Sequence, residues 1–395
     1  MIWDWTLIIK KEVDTMSTIN IPRESTMQEI AQALNLIAIS VTGQTPEVST
    51  WASVQRIVRS GFGKKAFPVG SQLRVQHETY GEIIWDVVAH DYDKDPNGRM
   101  EHSMTLLSHD CVINSIQFDN TEALYKAETT MAAGTYHFTL LAGYDTSYGG
   151  GKTLQFTLTK AVPAGGVVMF PWSYNTQSTA TKISTYETQV STTALETVTV
   201  TEGTGGTDLG TADGKGALNH THRIRYGSSN WKESALRQML NSDKAVGTFW
   251  TPQTKYDRPP TWNASIAGFM AGLPADFLEV VGICSHITKS NGIHEEADEL
   301  NSSYETQDRF WLASYSEVFG GMENNVADGT QYPYYSGALA ADRIKYNSSG
   351  AARFWWLRSP NPWVTYSVRL VRPDGSVGSD YAHSSLGAAV ACAIY

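Results

Sequence analysis

The stretch from Arg353 to Tyr395 constrains the fold more than any other part of the chain. It opens on a block of rings with an arginine behind them, Arg353-Phe354-Trp355-Trp356-Leu357-Arg358-Ser359-Pro360. An alternating run, Val364 to Arg372, follows, then a Pro373-Asp374-Gly375-Ser376 turn. A small-residue segment leads to the apolar ending Ala388 to Tyr395. Period-two segments joined through Asp-Gly read as a β-hairpin. The uncharged ending reads as a buried closing strand.

The composition of this tail is biased. After Trp363 there is no Lys, Glu, Gln, Met or Asn. Such types make up roughly a quarter of an average chain, so chance absence over this length is below about one in a hundred. What remains is rich in Tyr, Ser and Gly with some Arg, the chemistry of paratope loops: rigid amphipathic rings beside small, adaptable hydrogen-bonding groups. A buried β segment is also poor in long polar residues, and composition alone leaves both readings open.

The block Phe354 to Pro360, the pair Val368-Arg369, the Asp374-Gly375 turn and the ending Gly387-Ala388-Ala389-Val390-Ala391-Cys392 resemble the C-terminal region of C-type-lectin-fold proteins of gut phages and prophages. Some of these are variable proteins of diversity-generating retroelements. Their adenine-directed mutagenesis reaches a residue set without Lys, Glu, Gln, Met and Trp, as in this tail. The family often has Pro where Val390 stands. The resemblance extends upstream through Tyr226 to Trp231, the Ser234-Ala235-Leu236-Arg237-Gln238 helix, Gly272 to Phe277 and Asp308 to Val318, and Ile83 to Ile113 resembles the family's first strands. It implies an α+β, C-type-lectin-like fold.

At 395 residues the chain has room for two or three domains. Thirty Lys+Arg stand against forty Asp+Glu, net −10, with no basic cluster, which argues against nucleic acid as a partner. Cys111, Cys284 and Cys392 are odd in number and far apart, giving no disulfide framework and no zinc spacing. No apolar run reaches membrane-helix length, so no membrane insertion is expected. The apolar start, Met1 to Lys10, carries Asp4 and makes a poor signal peptide.

Taken in order, residues 1–65 read as an N-terminal helical module for attachment or oligomerisation. Thr26 and Glu29 have capping-box form, and Met27, Ile30, Leu34, Ile37 and Val41 recur as a short heptad seam. That seam suits either an ordinary packed helix or self-association as a trimer. A second helix begins near Thr50, with Trp51, Val54, Ile57 and Val58 on one face, and stops at Gly61. Residues 66–117 read as the first part of the lectin-like domain, 118–204 as an inserted β-sandwich domain, and 205–395 as its remainder with the variable tail. Asp91, Asp93, Asp95 and Gly98 mimic the opening of a calcium loop, but the spacing fits a solvated turn better. His102 and His109 lack a third metal ligand. In the insertion, Tyr144, Tyr148, Trp172 and Tyr174 are candidate glycan contacts or loop packing. Glu295, Glu296, Asp298 and Glu299 beside His294 read as a solvated charged face.

No phosphate loop, nucleophile elbow or metal pair on a helix is present, so neither enzymatic activity nor a metal or other cofactor is expected. The lectin-like fold also hosts formylglycine-generating enzymes, but Cys284 and Cys392 sit in apolar contexts. The expected frame buries Trp355, Trp356, Val368, Val371 and Ala388 to Ile394, with Arg358 and Arg369 pairing to anchor loops. By the family's pattern the displayed ligand-binding positions are Trp363, Val364, Tyr366, Ser367, Leu370, Arg372, Gly378, Ser379, Asp380, Tyr381, His383, Ser384 and Leu386. The resemblance implies a receptor-binding, host-attachment protein of a phage tail, made in the bacterial cytoplasm and carried on the virion. Its implied partners are a bacterial surface receptor, protein or glycan, other tail proteins, and further copies of itself. The alternatives are a structural tail protein, or a bacterial glycan-binding adhesin.

Overall fold

A computed structural model describes residues 50–122, 125–126, 129–139, 153–164, 167–169, 186–190, 196–211, 223, 226–253, 257–289, 303–323, 327–362 and 366–395. The start at 1–10, the heptad at 27–41, Tyr144, Tyr148, Trp172, Tyr174, the acidic cluster at 294–299, Trp363 and Val364 lie outside the described residues.

The helix Trp51–Ile57 begins where Thr50 accepts the Ser53 amide on its side chain, the N-cap role. Val54, Ile57 and Val58 are buried as their spacing predicts, and Gly61, at φ 81°, breaks the run. The Trp51 ring meets Phe277 edge-on at 4.7 Å, while Gln55 and Arg59 donate to the Tyr395 carbonyl at 2.8 and 3.0 Å. These contacts place the helix in the compact unit Thr50–Tyr395. Part of the stretch expected as the N-terminal module, from Thr50 onward, thus packs within this unit.

In chain order the strands are β1 (Gln72–His77), β2 (Gly81–His90), β3 (Met104–Ser108), β4 (Ile113–Gln117), β5 (Tyr125–Lys126), β6 (Gly134–Thr139) and β7 (Thr153–Leu158). Next come β8 (Val167–Met169), β9 (Tyr186–Val190), β10 (Glu196–Glu202), β11 (Thr207–Thr211), β12 (Cys284–Lys289), β13 (Ser303–Asp308), β14 (Lys345–Tyr346) and β15 (Ala352–Arg353). The last five are β16 (Trp355–Pro360), β17 (Ser367–Val371), β18 (Val377–Tyr381), β19 (Ser385–Ala388) and β20 (Ala391–Ile394). Short helices at Ala235–Leu240, Ala275–Val280 and Tyr315–Phe319 complete an α+β unit that is mostly sheet.

Two sheets build the frame. One has the order β1-β2-β3-β20, so the uncharged ending closes against β3, antiparallel. The other has the order β18-β17-β16-β19-β4, with β16 and β19 parallel. The expected hairpin is β17–β18. The stretch expected as an inserted β-sandwich at 118–204 contributes six strands to a seven-stranded sheet, β11-β6-β7-β10-β9-β8-β5, whose seventh, β11, lies past the expected boundary. Strand β10 changes partner along its length: Glu196 to Val200 pair with β9, Thr201 and Glu202 with β7. Phe138, Leu154, Phe156 and Leu158 of this sheet are buried. Gly206, at φ 79°, passes so close to the Thr135 carbonyl that a Cβ there would lie 1.9 Å from it.

Trp85, Trp231, Trp311, Trp355 and Trp356 are fully buried. Three of their ring N–H groups find acceptors: Trp231 donates to Asp308 at 3.1 Å, Trp355 to the Arg343 carbonyl and Trp356 to the Ile116 carbonyl at 3.0 Å, as buried indoles require. Val368, Val371 and Ala388 to Ile394 have no exposure, in line with the expected frame. Arg358 is fully buried as well. Its guanidinium forks onto Glu317 through two hydrogen bonds of 2.6 Å. Its other donors reach the Leu312 and Asp328 carbonyls and Thr288 Oγ1 at 3.0, 2.8 and 3.3 Å. All five N–H groups of the fork are thus used. Arg369 pairs with Glu323 at 2.7 Å.

One expected feature is corrected. Asp95 does form a turn, accepting the Asn97 and Arg99 amides. Asp93, however, is buried rather than solvated. It accepts from Thr105 Oγ1 at 2.6 Å and from the Tyr332 hydroxyl at 3.1 Å, and it needs both because a buried carboxylate without donors is costly.

Replacing Arg358 with Met strands Glu317 in the core. The expected loss is about 3–5 kcal/mol of stability, measured by urea unfolding against wild type. A second expectation concerns acid. His77 is buried; Nε2 donates to the Phe269 carbonyl at 2.9 Å, and Nδ1 accepts the Thr79 and Tyr80 amides at 3.0 and 3.3 Å. Burial holds its pKa below the usual imidazole value. The folded protein therefore resists a proton that the unfolded chain accepts, so this contribution is intact above the unfolded pKa of about 6.5 and is lost as pH falls below it. A His77→Gln variant should show a lower Tm than wild type at pH 7.5 and a smaller drop between pH 7.5 and 5.

Candidate ligand-binding surface

The β17–β18 hairpin is held by its turn. Arg372 N donates to the Ser376 carbonyl and Gly375 N to the Arg372 carbonyl, both at 2.8 Å. Asp374 accepts the Ser376 amide and hydroxyl at 2.9 and 2.6 Å. Gly375 is at φ 78°, and a Cβ there would lie 1.7 Å from the Ala340 carbonyl. Register pairs Ser367 with Tyr381, Arg369 with Ser379 and Leu370 with Gly378.

The described members of the expected surface separate into groups. Tyr366 and Tyr381 are half-buried and gather around Tyr226. Ring centroids lie 4.7 Å apart for Tyr226–Tyr366, 4.0 Å for Tyr226–Tyr381 and 5.8 Å for Tyr366–Tyr381. His383 stacks on Tyr381 at 6.0 Å, and its amide donates to the Tyr226 carbonyl at 3.0 Å. Polar groups flank these rings. Asp380 accepts the Tyr381 amide at 2.7 Å and the Ser384 hydroxyl at 3.1 Å, and exposed Ser379 accepts from Asn361 Nδ2 at 2.9 Å. Arg372 is exposed at the far end of the hairpin, its guanidinium donating to the Val377 carbonyl at 2.8 Å. Leu386, half-buried, pairs with Ile116 on the other side of the sheet.

Ser367, Leu370 and Gly378 are buried, which corrects their expected exposure. Strand β17 lies between β16 and β18, and all five of its residues are buried. Gly378 is the floor beneath Leu370: a Cβ on it would come within 2.8 Å of Leu370 Cδ1 and 2.9 Å of Arg372 Nε. Sequence reasoning missed Tyr226, which is fully packed beneath the two tail tyrosines. The signal was Tyr226-Gly227: Gly227 is at φ 80°, where the chain turns against Asn120 and Ala382.

Elsewhere a concavity of about 170 Å³ is lined by Tyr80, Glu82, His109, Asp110, Cys111 and Asn347. His109 Nδ1 donates to buried Asp86 at 2.8 Å, an orienting contact of the kind a general base has. Burial pushes the Cys111 thiol up to about 12, so it offers no thiolate at neutral pH. Burial raises Cys284 and Cys392 in the same direction.

The division between frame and display can be measured. Leu370→Ala should cost about 2–5 kcal/mol, as for other buried leucines, whereas Ser379→Ala should stay within about 0.5 kcal/mol of wild type. Equal losses in denaturant unfolding would show that the division is wrong.

Residues 215–395 match a family model described as a domain of unknown function, DUF6273. No curated protein and no solved structure matches the chain.

Proposed function

We propose that this chain is a receptor-binding protein of a phage tail, in which a C-type-lectin-like frame presents the C-terminal hairpin and its neighbouring loop to a bacterial surface receptor. The observation that carries this reading is the contrast along the tail. Buried Trp355, Trp356, Arg358, Val368, Val371 and Ala388 to Ile394 alternate with the half-buried or exposed Tyr366, Arg372, Ser379, Asp380, Tyr381, His383 and Ser384. Rigid tyrosines beside small polar groups are suited to recognition at low entropic cost. The frame's anchors lie on other strands, so substitutions at the displayed positions leave them in place. A surface of this size binds weakly per copy, and a trimer on a virion supplies avidity. No catalytic or cofactor role is part of this reading.

The edge position of β18 favours a second reading. An edge strand offers unpaired backbone groups to a neighbouring chain, as a structural tail protein would use for assembly.

The test replaces Ser379, Asp380, Tyr381, His383 and Ser384 together with residues of a related tail, and then measures adsorption to host cells and thermal melting. Retained melting with lost or redirected adsorption is the expected result. Unchanged adsorption would remove the display reading, and loss of self-association in its place would favour assembly.

A further inference from the structure

The frame encloses a group of acceptors that the receptor reading does not use. Asp93 (between β2 and β3), His286 (on β12) and Glu317 (on the Tyr315–Phe319 helix) are all buried. They present one ligand atom each, mutually within 4.8 Å.

Lone pairs can be counted here. Glu317 gives Oε2 to Arg358 and to the Ser314 amide at 2.6 and 2.8 Å, and Oε1 to Arg358 at 2.6 Å. Because the guanidinium fork takes the two facing lone pairs of the carboxylate, the outward lone pair of Oε1 is left. Asp93 receives Thr105 and Tyr332 both on Oδ2, which leaves Oδ1. His286 Nδ1 stands 3.6 Å from that Oδ1, and its Nε2 is buried without a hydrogen-bond partner. The neighbouring cation, Arg358, has already spent all five N–H groups. A neutral His286 carries one N–H, so one of its ring nitrogens, Asp93 Oδ1 and the outer side of Glu317 Oε1 remain as acceptors, and among the described residues no hydrogen bond reaches Asp93 Oδ1 or His286 Nε2.

We propose that Asp93, His286 and Glu317 form a buried site for one divalent transition-metal ion, of the Zn²⁺ or Mn²⁺ type. One imidazole nitrogen with two carboxylate oxygens is a borderline donor set that suits these ions. Ca²⁺ requires six to eight oxygens, which this group does not supply. The ion would join the β2–β3 connection, β12 and the Tyr315–Phe319 helix at one point, so its role is structural. Sequence spacing could not show it, since the three residues come from separate segments and Asp93 reads as part of a solvated turn.

The test uses the full chain, stripped with a chelator and dialysed. Calorimetric titration with ZnCl₂, MnCl₂ and CaCl₂ and elemental analysis should show one Zn²⁺ or Mn²⁺ per chain, no Ca²⁺, and a Tm that rises with added ion, as for any ligand that binds only the folded state. His286→Gln and Asp93→Asn should each weaken that binding at least about tenfold. Absence of Zn²⁺ and Mn²⁺ binding by the wild-type chain overturns the proposal, and that result needs no variant to fold. Binding that survives both substitutions unchanged also overturns it, by placing the ion elsewhere.

Discussion

The fully buried pair of Arg358 and Glu317 is the contact on which the rest of the frame depends. Taking both charges out of water carries a large penalty, repaid only when geometry and extra hydrogen bonds are complete. Here they are. The five guanidinium donors reach Glu317, Leu312, Asp328 and Thr288, so β16, β12 and the loops on either side of the Tyr315–Phe319 helix converge on one side chain. Glu317 also closes the capping box of that helix with Ser314. The same carboxylate thus sets where the helix starts and how β16 lies against it. A less complete network would leave a buried charge, which explains why the pairing is so thorough.

What the sequence showed and what it hid follow from the range of the interactions. The ring block with Arg358 announced a buried element that needed a partner. The Asp374-Gly375 hairpin and the uncharged ending were equally legible, because turn chemistry and hydrophobicity are local. The exposure of Ser367 and Leu370 was misread. The family's pattern put both on the displayed face, but β17 is covered on both sides and its neighbour Gly378 makes room for Leu370. Tyr226 was missed because its partners, Tyr366 and Tyr381, lie far along the chain. Asp93 was misread for the same reason: the spacing of its neighbours shows a turn, while its burial depends on Tyr332.

The hairpin surface is itself a compromise between packing and display. Its tyrosines stack on one another and on Tyr226, which fixes their rings before any ligand arrives. In the proposed receptor-binding role that would reduce the ordering cost of recognition, and it also commits part of each ring face to the protein. Ser379, Asp380 and Ser384, whose contacts stay within the loop and its near neighbours, are where chemical change disturbs least.

The pairing of β20 with β3 also has a consequence for how the chain is made. Val390 N reaches Ser108 Oγ across 282 residues, a separation whose closure is entropically expensive and slow. During synthesis β3 leaves the ribosome with its edge unpaired, long before its partner exists. The stretch containing β5 to β11 lengthens that wait, but it does not have to lengthen the loop that closes. At its two ends Glu122 N donates to the Arg223 carbonyl at 3.1 Å, which turns roughly a hundred residues of slack chain into one hydrogen-bonded neck. Both sides of that neck are translated well before Ala391, so a neck formed at that stage would shorten the loop that the last strand has to close.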